Sequence, residues 1–193
     1  EPARRIRLIL KGKADIIDLA PEDISLVAKK GMKIWRIPGA DICYLGFYTN
    51  KGPFHNPKVR LAACQAINQP HLVQEVFGDK VILANSPLPP GTLGYEKELR
   101  QQPFDLQRAR QLLTEAGYAH GLKITLIAYA GEHPYNPAGG EKLALALGKQ
   151  LANAGFQVSI VIYPWDKFKK ALFRQEGDAF LYGWISHNGD PDD

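Results

Sequence analysis

Apolar residues in the second half of the chain follow a helical spacing and then form a strand-like run, and this order occurs three times. In the first unit, Asp105 is a suitable N-cap for a helix, and the later run LKITLIAY predicts a strand. The helix is predicted from apolar side chains three or four residues apart, namely Leu106, Ala109, Leu112, Leu113 and Ala116.

The two later units repeat this order. Residues 143–151 carry leucines at helical spacing before the strand QVSIVIY, and the helix WDKFKKALFRQ leads into the strand DAFLYGW. The first two helices end in Ala-Gly-aromatic, so we expect Gly117 and Gly155 to be left-handed C-caps. The alternation predicts an α/β fold in which helices cover a sheet. Because the connections are short, a mixed sheet is as well supported as a parallel one.

The first half of the chain predicts shorter elements. Gly12 should stop a helix over ARRIRLILKG, Pro21 and Pro57 should each open a helix, and HLVQEVFG should form another. Residues 84–100 hold three prolines and two glycines and are predicted to be irregular. Strands are predicted at ADIIDLA, MKIWRIP and ADICYLGFYTN.

Composition and charge exclude several classes of protein. The 193 residues carry a net charge of +4, but the basic groups are scattered and no aromatic stripe accompanies them, which argues against nucleic-acid binding. No apolar run approaches the ~20 residues of a membrane span. No signal peptide is recognisable, because residue 1 is Glu and no apolar h-region follows. A mature or excised chain would look the same.

The two cysteines are predicted to be free and buried. Cys43 falls in a predicted strand and Cys64 on a predicted helix. A disulfide is the alternative in an exported protein. Neither has a CxxC partner or a nearby histidine, so a metal site is not expected.

The sequence contains none of the common catalytic signatures. GxSxG, HExxH, the P-loop and GxGxxG are missing, and no histidine pairs with another histidine or a cysteine at helical spacing. Asp190, Asp192 and Asp193 are close in sequence but lack the longer ligand series of a calcium loop. We therefore expect neither an enzyme nor a resident metal or cofactor.

Two polar loops remain as candidate sites, each after a predicted strand. AYAGEHPYNPAGG contains His133 and Tyr135, and GWISHNGDPDD contains Trp184 and His187. Loops at the carboxyl ends of strands are where α/β sheets bind ligands. The alternative is two surface turns built from Pro, Asn and Gly.

Six segments, in order and at characteristic spacing, resemble the extracytoplasmic solute-binding proteins of peptide ABC transporters, the family of dipeptide- and oligopeptide-binding proteins. The resemblance runs from about residue 4 to the end of the chain. The segments are GADICYLGFYTNKGPFHNPKVRLAACQAIN, SPLPPGTLGY, FDLQRARQLLTEAGY, HPYNP, QLANAGFQVSIVIYPWDKF and GWISHNGDPDD.

The resemblance implies one piece of a two-lobed periplasmic-binding-protein fold of the large, peptide-binding type II class. Residues 1–41 would be the end of the first lobe with the hinge, and residues 42–193 most of the second lobe, with the rest of the first lobe missing. The implied function is capture of a peptide or peptide-like ligand between the lobes and delivery to the permease subunits. The implied location is the periplasm or the outer face of the cytoplasmic membrane, free or lipoprotein-anchored.

The resemblance also assigns the ligand-binding residues. In dipeptide-binding members an Asp after the Gly-Trp pair binds the peptide amine, and an Arg before PYNP binds its carboxylate; these positions are His187 and His133 here. Trp184 and Tyr135 match the family's aromatic positions. Because both charges are missing, a free dipeptide is in doubt, and a modified peptide, a metal chelate or haem is the alternative ligand. A further alternative is that both histidines face solvent and that the ligand is anchored elsewhere.

Overall fold

The computed structural model describes residues 2–19, 23–37 and 39–186, and two compact units fall within residues 1–38 and 39–193. The first unit contains helix α1 (Pro2–Leu10) and the short helix α2 (Ile24–Ala28). As predicted, α1 ends just before Gly12, whose φ is +64°. The assignment of the units to two lobes stays a prediction.

Two strands predicted in the first unit are wrong. The described parts of ADIIDLA and MKIWRIP, residues 14–19 and 32–37, are irregular and largely exposed. A short apolar run becomes a strand when another strand accepts its backbone hydrogen bonds, and the described residues of this unit supply none.

The second unit contains four strands and five α-helices within the described residues, and its elements agree with the sequence predictions. A 3-10 turn, Pro53–His55, precedes the first helix of this unit. In chain order the elements are β1 (Ile42–Phe47), α3 (Pro57–Ala66), α4 (Gln69–Phe77), α5 (Leu106–Glu115), β2 (Leu122–Tyr129), α6 (Gly140–Ala154), β3 (Phe156–Tyr163), α7 (Trp165–Phe173) and β4 (Ala179–Trp184).

Helix ends in this unit follow from local sequence. Asn56, Asn68 and Asp105 each accept a backbone N–H with the side-chain oxygen and so cap α3, α4 and α5. Gly117 and Gly155 take the predicted positive φ angles, +93° and +108°. These caps fix where each helix begins and where the chain turns into the next strand.

The sheet is mixed, with strand order β1-β4-β2-β3. Strand β1 runs antiparallel to β4, while β4, β2 and β3 are parallel to one another. The last strand therefore lies between β1 and β2. As a result, the carboxyl ends of β2, β3 and β4 meet at one edge.

Helices cover both faces of this sheet. Gly148 of α6 lies against Val158 and Ile160, whereas Phe168 of α7 lies against Tyr129, whose partner in the β2–β3 register is Tyr163. Side chains alternate along a strand, so α6 and α7 pack on opposite faces. Helices α3 and α5 pack together and extend the core. No helix in the described ranges is long and apolar enough to span a membrane.

Candidate functional site

The candidate site lies at the edge where β2, β3 and β4 end. The loop 130–139 follows β2, Trp165 begins α7 two residues after the end of β3, and Trp184 is the last residue of β4. The connections after parallel strands thus bring aromatic side chains that are far apart in sequence to one edge.

The loop after β2 is closed by backbone hydrogen bonds. His133 and Asn136 exchange two of them, with N···O distances of 3.1 and 2.8 Å, and Gly140 donates to the Gly131 carbonyl at 3.0 Å. Gly139, at φ +86°, turns the chain into α6. The loop is therefore a defined structure that can hold a side chain in one orientation.

His133 lies among aromatic rings. Its ring centroid is 4.1 Å from Trp165 and 4.6 Å from Tyr129, and it stacks on Tyr135 at 5.4 Å with planes 9° apart. Burial lowers the pKa of His133 below its ordinary value, because the charged form loses its hydration. The imidazole is consequently uncharged at neutral pH.

Tyr135 is buried beneath this edge, with 8% of its surface exposed. Its ring lies over Gly183 of β4, where a Cβ would collide with the ring and come 2.7 Å from the Ile42 carbonyl oxygen. The Tyr135 hydroxyl is buried and makes no hydrogen bond with the described residues. Burial also raises its pKa, so the hydroxyl stays protonated.

A second hydroxyl nearby has partners. Asn136, fully buried, donates from Nδ2 to the Tyr129 hydroxyl oxygen at 2.9 Å. The same hydroxyl interacts with the Cys43 sulfur, and burial raises the pKa of the Cys43 thiol to about 12. Cys43 and Cys64 are both free and half-buried, in agreement with the sequence prediction of free thiols.

Trp184 lies at the end of β4, opposite Ile42 of β1, with 45% of its surface exposed. Of the four residues predicted for the site, His133 and Tyr135 are in direct contact. Trp184 follows Gly183, which lies under Tyr135, but it does not stack on either ring among the described residues. His187 lies outside the described residues.

The whole chain, residues 1–193, matches the model of the bacterial extracellular solute-binding proteins, family 5 (middle). The chain belongs to this family.

Two curated relatives of the chain have different named ligands. Di/tripeptide-binding protein 3 of Pseudomonas aeruginosa (strain UCBPP-PA14) is 32% identical over all of the chain, which covers 36% of that protein. Heme-binding protein A of Haemophilus influenzae (strain ATCC 51907 / DSM 11121 / KW20 / Rd) is 32% identical over 80% of the chain and 28% of its own length. The chain therefore spans about a third of the length of these relatives.

A solved family structure has the same fold. The dipeptide-binding protein from Pseudoalteromonas sp. SM9913, in complex with Met-Leu, matches all of the chain with a TM-score of 0.79 and 32% identity. The chain covers 38% of that protein. The prediction of a mixed α/β sheet of the periplasmic-binding-protein type is confirmed.

Sequence reasoning missed three residues of the candidate site. Trp165 contacts His133, and Asn136 holds the loop 130–139 by its hydrogen bond to Tyr129. The ring centroid of Tyr182 lies 6.1 Å from the ring centroids of Tyr135 and Trp165. Trp165 carried a usable signal, since it comes two residues after the strand QVSIVIY, whereas His133 comes four residues after LKITLIAY. The described residues contain no group of three His, Cys, Asp or Glu able to hold a metal.

Proposed function

We propose that the complete polypeptide is the substrate-binding component of an ABC importer, which captures peptides or peptide-like solutes and delivers them to a membrane permease. The observation that carries this proposal is the match of residues 1–193 to an extracellular solute-binding family. The relatives' names and the Met-Leu complex of a family member support peptides as the ligand class. The protein would act outside the cytoplasmic membrane, as its family does.

The proposed ligand edge consists of His133, Tyr135, Trp184 and His187, and we add Trp165. Two observations support this proposal. The carboxyl ends of β2, β3 and β4 meet at this edge, and Trp184 is exposed near the hydrogen-bonded loop 130–139. Rings at such an edge offer apolar and aromatic contacts to a solute. The rest of the polypeptide would supply the opposite wall.

His133 is central to the expected ligand preference. At the position where the family resemblance implies an Arg, an uncharged imidazole stacks on Tyr135 and contacts Trp165 at a tilt of 42°. A neutral ring does not neutralise a carboxylate held away from water. We therefore expect a preference for solutes whose carboxyl end is blocked, absent or paired with the other lobe.

Three probes on the complete polypeptide test this proposal: Met-Leu, N-acetyl-Met-Leu and Met-Leu amide, titrated by calorimetry. We expect the amide to bind at least as tightly as Met-Leu. The variant His133→Arg should tighten Met-Leu by at least about tenfold, because an Arg–carboxylate pair is worth roughly 1.5–3 kcal/mol, and leave the amide unchanged. Equal effects of His133→Arg on both probes would contradict the assigned role of His133. No binding of any of the three would contradict peptide capture.

Haem or a metal chelate is the second candidate, because a haem-binding protein is among the relatives at 32% identity. An imidazole at the ligand edge could serve as an axial ligand. Haemin added to the complete polypeptide should then give a shifted Soret band that His133→Ala abolishes. A band that is unchanged by His133→Ala would rule out His133 as the ligand to iron.

A further inference from the structure

Asn136 has none of its surface exposed, whereas Gln65 and Thr92, the other buried polar residues of the described chain, keep 8% and 7% exposed. Its backbone exchanges hydrogen bonds with His133, and its side-chain oxygen accepts from the Ala138 N–H at 3.3 Å. The remaining side-chain group, Nδ2, leaves the loop and donates to the Tyr129 hydroxyl at 2.9 Å. Asn136 thus joins the loop to the sheet.

Tyr129 is the residue of the sheet that accepts this hydrogen bond. It is the last residue of β2 and is fully buried, with its ring edge-on to His133, Trp165 and Phe168. Burial raises the pKa of its hydroxyl, so this group stays protonated. Neither Tyr129 nor Asn136 is accessible enough to contact a solute.

We propose that Tyr129 and Asn136 are positioning residues, whose buried hydrogen bond holds the loop 130–139 so that the His133 ring stays against Trp165 at the ligand edge. The proposal rests on the proposed function for its consequence in binding. The position of the His133 ring can be measured without any solute.

The geometry explains why one hydrogen bond has this effect. His133 is joined directly to Asn136 by two backbone hydrogen bonds across a tight turn, so a displacement of the Asn136 backbone also displaces His133. Without the Tyr129 hydroxyl, the Asn136 amide would be buried with an unsatisfied donor, which costs more than the bond itself contributes. Turning the amide toward water would relieve that cost and would separate His133 from Trp165.

The chain supplies a matched control at Tyr163. Tyr163 is the register partner of Tyr129 on β3, and its hydroxyl donates to Glu176 Oε2 at 2.8 Å. Tyr163→Phe therefore removes a tyrosine hydroxyl and its hydrogen bond at the same level of the sheet. It leaves the His133 loop untouched.

The experiment compares Tyr129→Phe with Tyr163→Phe in the complete polypeptide, with selectively labelled histidine and tryptophan rings. Tyr129→Phe should raise the pKa of His133 toward its ordinary value of about 6.5 and remove the NMR contacts between His133 and Trp165. Tyr163→Phe should do neither. Asn136→Ala is measured in parallel and should have the same effect as Tyr129→Phe. If Asn136→Ala reduces the folded yield, Tyr129→Phe alone tests whether this hydrogen bond positions His133.

Binding of Met-Leu provides the second readout. Tyr129→Phe should weaken it about tenfold, as expected for the loss of roughly one positioned contact. A lower melting temperature with an unchanged His133 pKa and unchanged ring contacts would overturn the positioning role. If the unmodified protein binds none of Met-Leu, N-acetyl-Met-Leu and Met-Leu amide, the peptide proposal fails, while the His133 measurements still decide the positioning proposal.

Discussion

The ring of His133 decides much of the chemistry at the proposed ligand edge. Around it lie Tyr129, Tyr135 and Trp165, none of which is ionised near neutral pH, since burial raises the pKa of both tyrosines. A histidine in such surroundings stays neutral and acts as an aromatic surface. The sequence located this residue, but its spacing in the chain could not show that its partner would be Trp165.

The depressed pKa of His133 predicts a pH dependence of stability. In the unfolded chain the imidazole takes up a proton near its ordinary pKa of about 6.5, and in the folded protein only at lower pH. The contribution of neutral His133 to the free energy of unfolding is therefore fully present above about pH 6.5. It is lost as the pH falls toward the pKa of His133 in the folded protein. The melting temperature of His133→Gln should fall less than that of the unmodified protein between pH 7.5 and 5.5.

His120→Gln is the matched control, because His120 is exposed on the same unit. It should keep the acid sensitivity of the unmodified protein. If His133→Gln keeps it as well, His133 is not the group responsible.

The unpartnered hydroxyl of Tyr135 predicts an unusual mutational result. Removing a buried hydroxyl that has no hydrogen bond should cost no stability and could add up to about 1 kcal/mol. Tyr135→Phe should therefore melt at the same or a higher temperature without ligand. If the hydroxyl pairs with a solute or with the rest of the polypeptide, the same variant should bind Met-Leu more weakly. A clear loss of stability would show that the hydroxyl has a partner in the folded protein.

At the scale of elements, caps and periodicity account for most of the second unit. The helices and strands after residue 104 begin and end close to where the sequence predicts, because each carries its own signal, such as Asp105 before α5 and Gly155 after α6. The strands predicted before residue 39 were wrong, because apolar runs alone do not supply a pairing partner.

The cap of α5 can be tested directly. Asp105 is exposed and its Oδ1 accepts the Arg108 N–H at 2.8 Å. Asp105→Ala should lower the free energy of unfolding by about 1 kcal/mol, measured by urea denaturation. Asp105→Asn keeps the acceptor and should cost much less. Equal losses in both variants would assign the effect to charge.

At the scale of the whole molecule, the chain covers about a third of its relatives, at 36% of the di/tripeptide-binding protein. If the ligand is enclosed between two lobes, contacts from both sides contribute to closure and affinity. Residues 39–193 alone should then bind Met-Leu at least about 100-fold more weakly than the complete polypeptide, equivalent to roughly 3 kcal/mol. Calorimetry on both proteins measures this difference. Comparable affinities of the two proteins for Met-Leu would contradict enclosure of the ligand between two lobes.

The sequence by itself determined the family, the α/β class and the elements of the second unit, because these depend on spacing, caps and segment order within short stretches of chain. The tertiary structure decided that β4 lies between β1 and β2, and that Trp165 meets His133 over Tyr129. Strand pairing and ring contacts join residues that are distant in the chain. They are fixed by competition among all burial and hydrogen-bonding partners, which local periodicity does not encode.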